Sequence, residues 1–178
     1  MIEPLFGALS AVHSEGLVHR DISPDNLMLE RGRIRLLDFG CAREAADISG
    51  TMTMTLKHGY SPVEQYTAHD QGPWTDIYAL ASTIYFCLTG SPPIRSTDRM
   101  LGDDLIAFRQ HGVSLPRHQE EALLRALSVK PRDRFPTMDE FYASLYGKAE
   151  KPKESNLLLI AIGILGAAAV IALAAVLL

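Results

Sequence analysis

His19-Arg20-Asp21-Ile22-Ser23-Pro24-Asp25-Asn26 is the stretch on which the reading of this chain turns, and Asp38-Phe39-Gly40 follows 12 residues after its closing asparagine. Between them lie two short apolar runs, Asn26 to Leu29 and Arg33 to Leu37, separated by Glu30-Arg31-Gly32. That pattern predicts a β-hairpin. Asp21, Asn26 and Asp38 therefore bracket one hairpin with three hard-oxygen side chains. Taken singly, each motif is weak, since His-Arg-Asp arises by chance and Asp-Phe-Gly suits any turn after a strand. Order, spacing and the intervening hairpin carry the signal together.

Upstream, Leu5, Leu9 and Val12 recur at helical spacing over Ile2 to Glu15, and Gly16 supplies a helix stop. Downstream, Cys41 to Tyr60 lacks periodicity and is rich in Thr, Ser and Met, which predicts a long functional loop. Ile77 to Leu88 is apolar on nearly all sides, as in a buried central helix closed by Thr89 and Gly90. Further helices are expected over Asp103 to Gln110, Gln119 to Val129 and Thr137 to Tyr146. The fold class expected is mainly α with a small β-hairpin.

Hydrophobic residues make up 47% of the 178, but unevenly. Leu157 to Leu178 carries no charged or hydrogen-bonding side chain. As a helix its length would be roughly 33 Å, enough to cross a bilayer. Residues 1–147 are expected to form the soluble domain, 148–156 a linker and 157–178 a transmembrane helix. Lys148, Lys151 and Lys153 beside the span favour a cytoplasmic lobe. Gly163 and Ala167 could favour dimerisation through the span, though an Ala-rich helix yields such pairs readily by chance. The formal charge of −4 and scattered basic residues argue against nucleic acid. Two distant cysteines, Cys41 and Cys87, give neither a disulfide framework nor a zinc site.

The motifs together resemble the protein kinase family, in its bacterial-type membrane serine/threonine form, and the resemblance covers nearly all of residues 5 to 146. It implies a C-terminal kinase lobe that uses ATP and Mg²⁺ on protein substrates. Asp21 would serve the substrate hydroxyl, Asn26 and Asp38 would hold metal and nucleotide, and His19, Arg20, Phe39 and Gly40 would be structural members of their motifs. Gly59-Tyr60-Ser61-Pro62-Val63-Glu64-Gln65 is similar to the end of the family's activation segment. There Glu64 would pair with Arg134, and Asp76 would brace the catalytic loop from the buried helix. A phosphate on Thr51, Thr53 or Thr55 could pair with Arg20 and order the segment.

The chain departs from the family pattern in three places. Ser23 stands where the family usually has a lysine, Lys57 where it usually has a threonine, and Val63 where proline is common. In the family the first two positions adjoin, so an exchange is expected in which Lys57 supplies the ammonium and Ser23 the hydroxyl. Nothing ahead of the first helix resembles the Gly-rich loop, strand lysine or helical glutamate of the ATP-binding lobe. A truncated or mis-started reading frame would explain that. The competing reading is a catalytically inactive, membrane-tethered interaction module. A small-molecule phosphotransferase fits the activation-segment landmarks less well.

Overall fold

The computed structural model describes residues 2–37, 43–44, 56–67 and 70–147. Helix α1, Glu3–Ser14, has Pro4 in its first turn, where the missing N–H costs nothing, and buries Leu5, Phe6, Leu9 and Val12 along one face. Strand β1, Leu17–Val18, leads into the loop that carries Asp21, and a 3₁₀ turn over Pro24–Asn26 ends that loop. Strands β2, Leu27–Glu30, and β3, Arg33–Leu36, pair antiparallel with Leu27 opposite Leu36 and Glu30 opposite Arg33. Arg31 and Gly32 join them with φ of 50° and 76°, the left-handed pair that matches the twist of a two-residue hairpin. Strand β4, Arg43–Glu44, pairs with β1.

Four more helices follow: α2, Val63–Thr67; α3, Pro73–Thr89; α4, Arg117–Ala126; and α5, Met138–Tyr146. Helix α3 is the hub, with every residue from Thr75 to Thr83 buried. It stops where Gly90, at φ 76°, turns back its N–H to Phe86 O. Phe6 of α1 meets Phe141 and Tyr142 of α5 at ring-centroid distances of 5.4 and 5.2 Å, sealing one side of the core. Thr137 caps α5 by accepting the Glu140 N–H.

The first helix, the hairpin and the last helix lie where the sequence predicts them. The expected helix over Asp103 to Gln110 is corrected: this stretch runs without regular structure to Ala107 and then makes a 3₁₀ turn over Phe108–His111. Tertiary bonds claim its backbone and charges. Tyr85 Oη donates to Ile106 O at 2.8 Å, Arg99 holds the Asp103 carboxylate at 2.7 and 3.0 Å, and Phe108 inserts fully into the core against Tyr85. The Arg99 guanidinium holds the Asp103 carboxyl below the usual carboxylate range. Helix α3 also starts at Pro73 rather than Ile77, and α2 was not expected.

No helix among the described residues is long and apolar enough to cross a membrane. The expected span 157–178, its linker and the Gly163/Ala167 pair lie outside the described residues.

Candidate active site

The loop from His19 to Ser23 is held on its backbone. Asp76, fully buried at the start of α3, accepts the N–H of His19 at 2.8 Å on Oδ2 and that of Arg20 at 2.9 Å on Oδ1. His13 Nε2 of α1 reaches the same Oδ2 at 2.8 Å. A buried carboxylate is tolerable only when its lone pairs are filled in this way. Arg20 itself takes a φ of 68°, an uncommon conformation for a residue with a side chain. Beyond it, Asn26 Nδ2 donates to Asp21 O at 2.7 Å, and the Leu37 N–H donates to Asn26 O at 2.8 Å. With its amide nitrogen committed, Asn26 keeps Oδ1 as a hard donor. The residue before Asp38 is tied to it.

Lys57 comes to this loop from the other side. Its ammonium lies 2.9 Å from Asp21 Oδ1 and 2.8 Å from Ser23 Oγ, a hydroxyl that is fully buried. The Lys57 backbone is fixed in turn: its N–H donates to Ser61 Oγ, and its carbonyl accepts the N–H groups of Tyr60 and Ser61. Ser96 Oγ donates to Ser61 O at 2.8 Å, which ties the segment to the loop after α3. Gly59, at φ 86°, sits so close to that loop that a Cβ would meet Pro92 Cβ and Pro93 O at 2.9 Å. Burial, with lesser contributions from Asp25 and Cys87, pushes the Tyr60 phenol up, so it remains protonated beside the loop.

Glu64 and Arg134 form the structural anchor of this segment. Arg134 Nη1 and Nη2 reach Glu64 Oε1 and Oε2 at 2.6 and 3.2 Å, in the two-pronged geometry that a guanidinium favours. Its other donors go to Ser128 O, Val129 O and Trp74 O, so all five N–H groups are used inside the protein. Thr75 Oγ1 adds a third bond to Glu64 Oε1 at 3.0 Å.

Of the residues singled out from sequence, the structure brings together Asp21, Ser23, Asn26 and Lys57, with Asp76 and buried His19 behind them. Glu64 and Arg134 meet elsewhere on the same segment. Asp38, Phe39, Gly40, Thr51, Thr53 and Thr55 lie outside the described residues. Gln65 was missed: its Nε2 donates to Arg20 O at 2.6 Å, directly behind the loop. Nothing about an isolated glutamine in sequence announces a bond to a backbone carbonyl.

A carboxylate, an ammonium and a hydroxyl meet beside the Asn26 amide, an arrangement suited to holding phosphate and an acceptor hydroxyl together. The chain belongs to the protein kinase family, since the model of the protein kinase domain matches residues 1–142. The fold is protein-kinase-like, mainly helical with small antiparallel sheets.

Serine/threonine-protein kinase F of Synechocystis sp. is 34% identical over 144 residues, an alignment covering 78% of this chain and 29% of that protein. Tyrosine-protein kinase MasK of Myxococcus xanthus is 36% identical over 138 residues, covering 72% and 21%. The solved structure described as "PpkA-294 apo form" superposes with a TM-score of 0.69 at 39% identity, covering 82% of this chain and 52% of that one. The PknI kinase domain of Mycobacterium tuberculosis gives a TM-score of 0.56 at 28% identity, covering 79% and 49%. The chain thus spans under a third of the length of those curated relatives and about half of those solved domains.

Proposed function

We propose that this chain is the helical, catalytic lobe of a serine/threonine protein kinase that transfers the γ-phosphoryl group of ATP to protein hydroxyls. The observation that carries this reading is the Lys57 ammonium seated between Asp21 Oδ1 and Ser23 Oγ at 2.9 and 2.8 Å. Asp21 accepts the proton of the acceptor hydroxyl as its oxygen forms a bond to the γ-phosphorus and the bond to the ADP oxygen breaks. Lys57 offers positive charge where the transferring group gathers negative charge, the term on which phosphoryl transfer most depends. Ser23 fixes the direction of Lys57. Asn26 Oδ1 and the Asp38 carboxylate are the hard-oxygen donors that would hold Mg²⁺, and the metal with ATP supplies the phosphoryl group and neutralises its oxygens.

With an ATP-binding lobe supplied, Asp21→Asn and Asp38→Asn are each expected to lower phosphorylation of a protein substrate, by on the order of 10²–10⁴-fold for the proton acceptor. Near-normal turnover in either variant would sink the assignment. Phosphoamino-acid analysis of the product settles the acceptor class, with phosphotyrosine as the outcome against a serine/threonine enzyme.

The same reading places the lobe on the cytoplasmic face of a membrane, held by residues 157–178. Support comes from an apolar stretch without a polar side chain and from the three lysines ahead of it. The chain is expected to stay with bacterial membranes through alkaline carbonate washing, and its release into the supernatant would overturn the anchor.

A further inference from the structure

The peptide plane between Arg20 and Asp21 sets the direction in which the Asp21 side chain leaves the backbone. A change in ψ of Arg20 that φ of Asp21 does not cancel reorients everything beyond it, the carboxylate included. Among the described residues, two bonds reach the plane. At its oxygen, Gln65 Nε2 donates at 2.6 Å; at its nitrogen, the Asp21 N–H reaches His19 Nδ1 at a longer 3.3 Å. The first is the shorter bond. It is also the one that comes from outside the loop, from the buried side chain of a residue on α2.

The conformation so held is not one the chain adopts by default. Arg20 sits at φ 68°, and a residue with a side chain persists there only when its surroundings over-determine it. Asp76 of α3 fixes the amide side of Arg20 and Gln65 of α2 fixes the carbonyl side. Gln65 directly follows Glu64, whose carboxylate is locked by Arg134 and Thr75. Seating that ion pair therefore delivers the Gln65 amide to the loop.

We propose that Gln65 is a positioning residue that makes the orientation of Asp21 depend on the docking of α2. This rests on the reading of Asp21 as the proton acceptor. A loosened α2 releases the Arg20 carbonyl, the peptide plane relaxes, and the carboxylate loses alignment with the acceptor hydroxyl while the nucleotide contacts stay in place.

The test uses the chain joined to an ATP-binding lobe, with ATP as the varied substrate and myelin basic protein as acceptor. Gln65→Met keeps length and removes the donor. It is expected to lower kcat about 10- to 100-fold, as small misplacements of a reacting group do, with KM for ATP unchanged. Gln65→Glu adds a readout that a purely structural role would not move. Ionised, the carboxylate cannot donate to Arg20 O; protonated, it can. Its kcat relative to wild type at the same pH is expected to rise as pH falls, while the Gln65→Met ratio stays flat. Taking the ratio cancels the titration of Asp21, His13, His19, Lys57, Glu64 and Asp76, which surround the site. Unchanged kcat in Gln65→Met, or a flat ratio for Gln65→Glu, overturns the inference. Should Gln65→Met fail to fold, the Gln65→Glu profile decides alone. Asp21→Asn is measured in parallel. If it is inactive and the Gln65 variants behave as wild type, only the role of Gln65 falls; if it is active, the reading of Asp21 falls and takes the role of Gln65 with it.

Discussion

Lys57 and Ser23 are 34 positions apart in sequence and 2.8 Å apart in space, the adjacency that an exchange of residue types between the two places requires. If Lys57 stabilises the transferring phosphoryl group, Lys57→Ala in the chain joined to an ATP-binding lobe is expected to cost about 2–4 kcal/mol of transition-state stabilisation, the effect of losing one preorganised electrostatic donor. Ser23→Lys then rescues part of the loss. The pair Ser23→Lys with Lys57→Thr is expected to be more active than Lys57→Thr alone, because groups that share a site do not act additively. Strictly additive kinetics would leave Lys57 an ordinary ion-pairing residue of Asp21. The contact was legible in sequence because each position departs from its usual residue type, which drew attention to the pair. Gln65 left no such trace. A side chain that bonds a backbone carbonyl needs no partner of a particular type, so its role surfaces only when the chain is folded.

At the scale of elements, α2 is the informative piece. Its five residues are far too few to hold helical structure in isolation, where nucleation alone is unfavourable, so tertiary bonds must define it. Glu64 to Arg134, Glu64 to Thr75 and Gln65 to Arg20 supply them. Arg134→Met is therefore expected to destabilise the lobe by about 3–5 kcal/mol, since it strands the buried Glu64 carboxylate without its partner. Converting Glu64 to Met in the same chain should recover much of that stability in urea unfolding while still impairing transfer. A double variant no more stable than Arg134→Met would show that the carboxylate was not the source of the cost. The same dominance of tertiary bonds explains why periodicity misled over Asp103 to Gln110. Leu105 and Phe108 share helical spacing, yet Arg99 and Tyr85 bind the segment through its carboxylate and carbonyl and draw it away from a helix. The buried hub α3, whose apolar residues run around the whole circumference, had no such competitor and was readable from sequence.

Across the whole molecule, Asp21, Ser23 and Lys57, the groups proposed to handle phosphate, sit beside Asn26 and the β2–β3 hairpin that follows it. On one side of the hairpin Met28 of β2 and Leu37, just after β3, are 41% and 40% exposed. Small-molecule sites enclose most of a ligand's surface, commonly 70–90% for ligands of drug size, and a single open wall does not. The described residues bring together a carboxylate, an ammonium and an amide, which the proposed function assigns to the phosphates and metal, while the apolar side of the hairpin stands open. The 178-residue chain in detergent micelles is therefore expected to bind Mg-ATP no more tightly than about 1 mM, corresponding to roughly −4 kcal/mol. At a nucleotide concentration equal to that constant, binding would stabilise the fold by only about 0.4 kcal/mol, too little for a clear rise in Tm. Supplying an ATP-binding lobe should cover the hairpin, tighten binding into the micromolar range and remove a dye-binding apolar surface at the same time. The two readouts are linked because one face serves both. Low-micromolar affinity for the chain alone, by calorimetry, would mean that these groups suffice to hold the nucleotide. Tight binding gained while dye binding persisted would place the nucleotide away from the hairpin and separate the apolar face from the catalytic site.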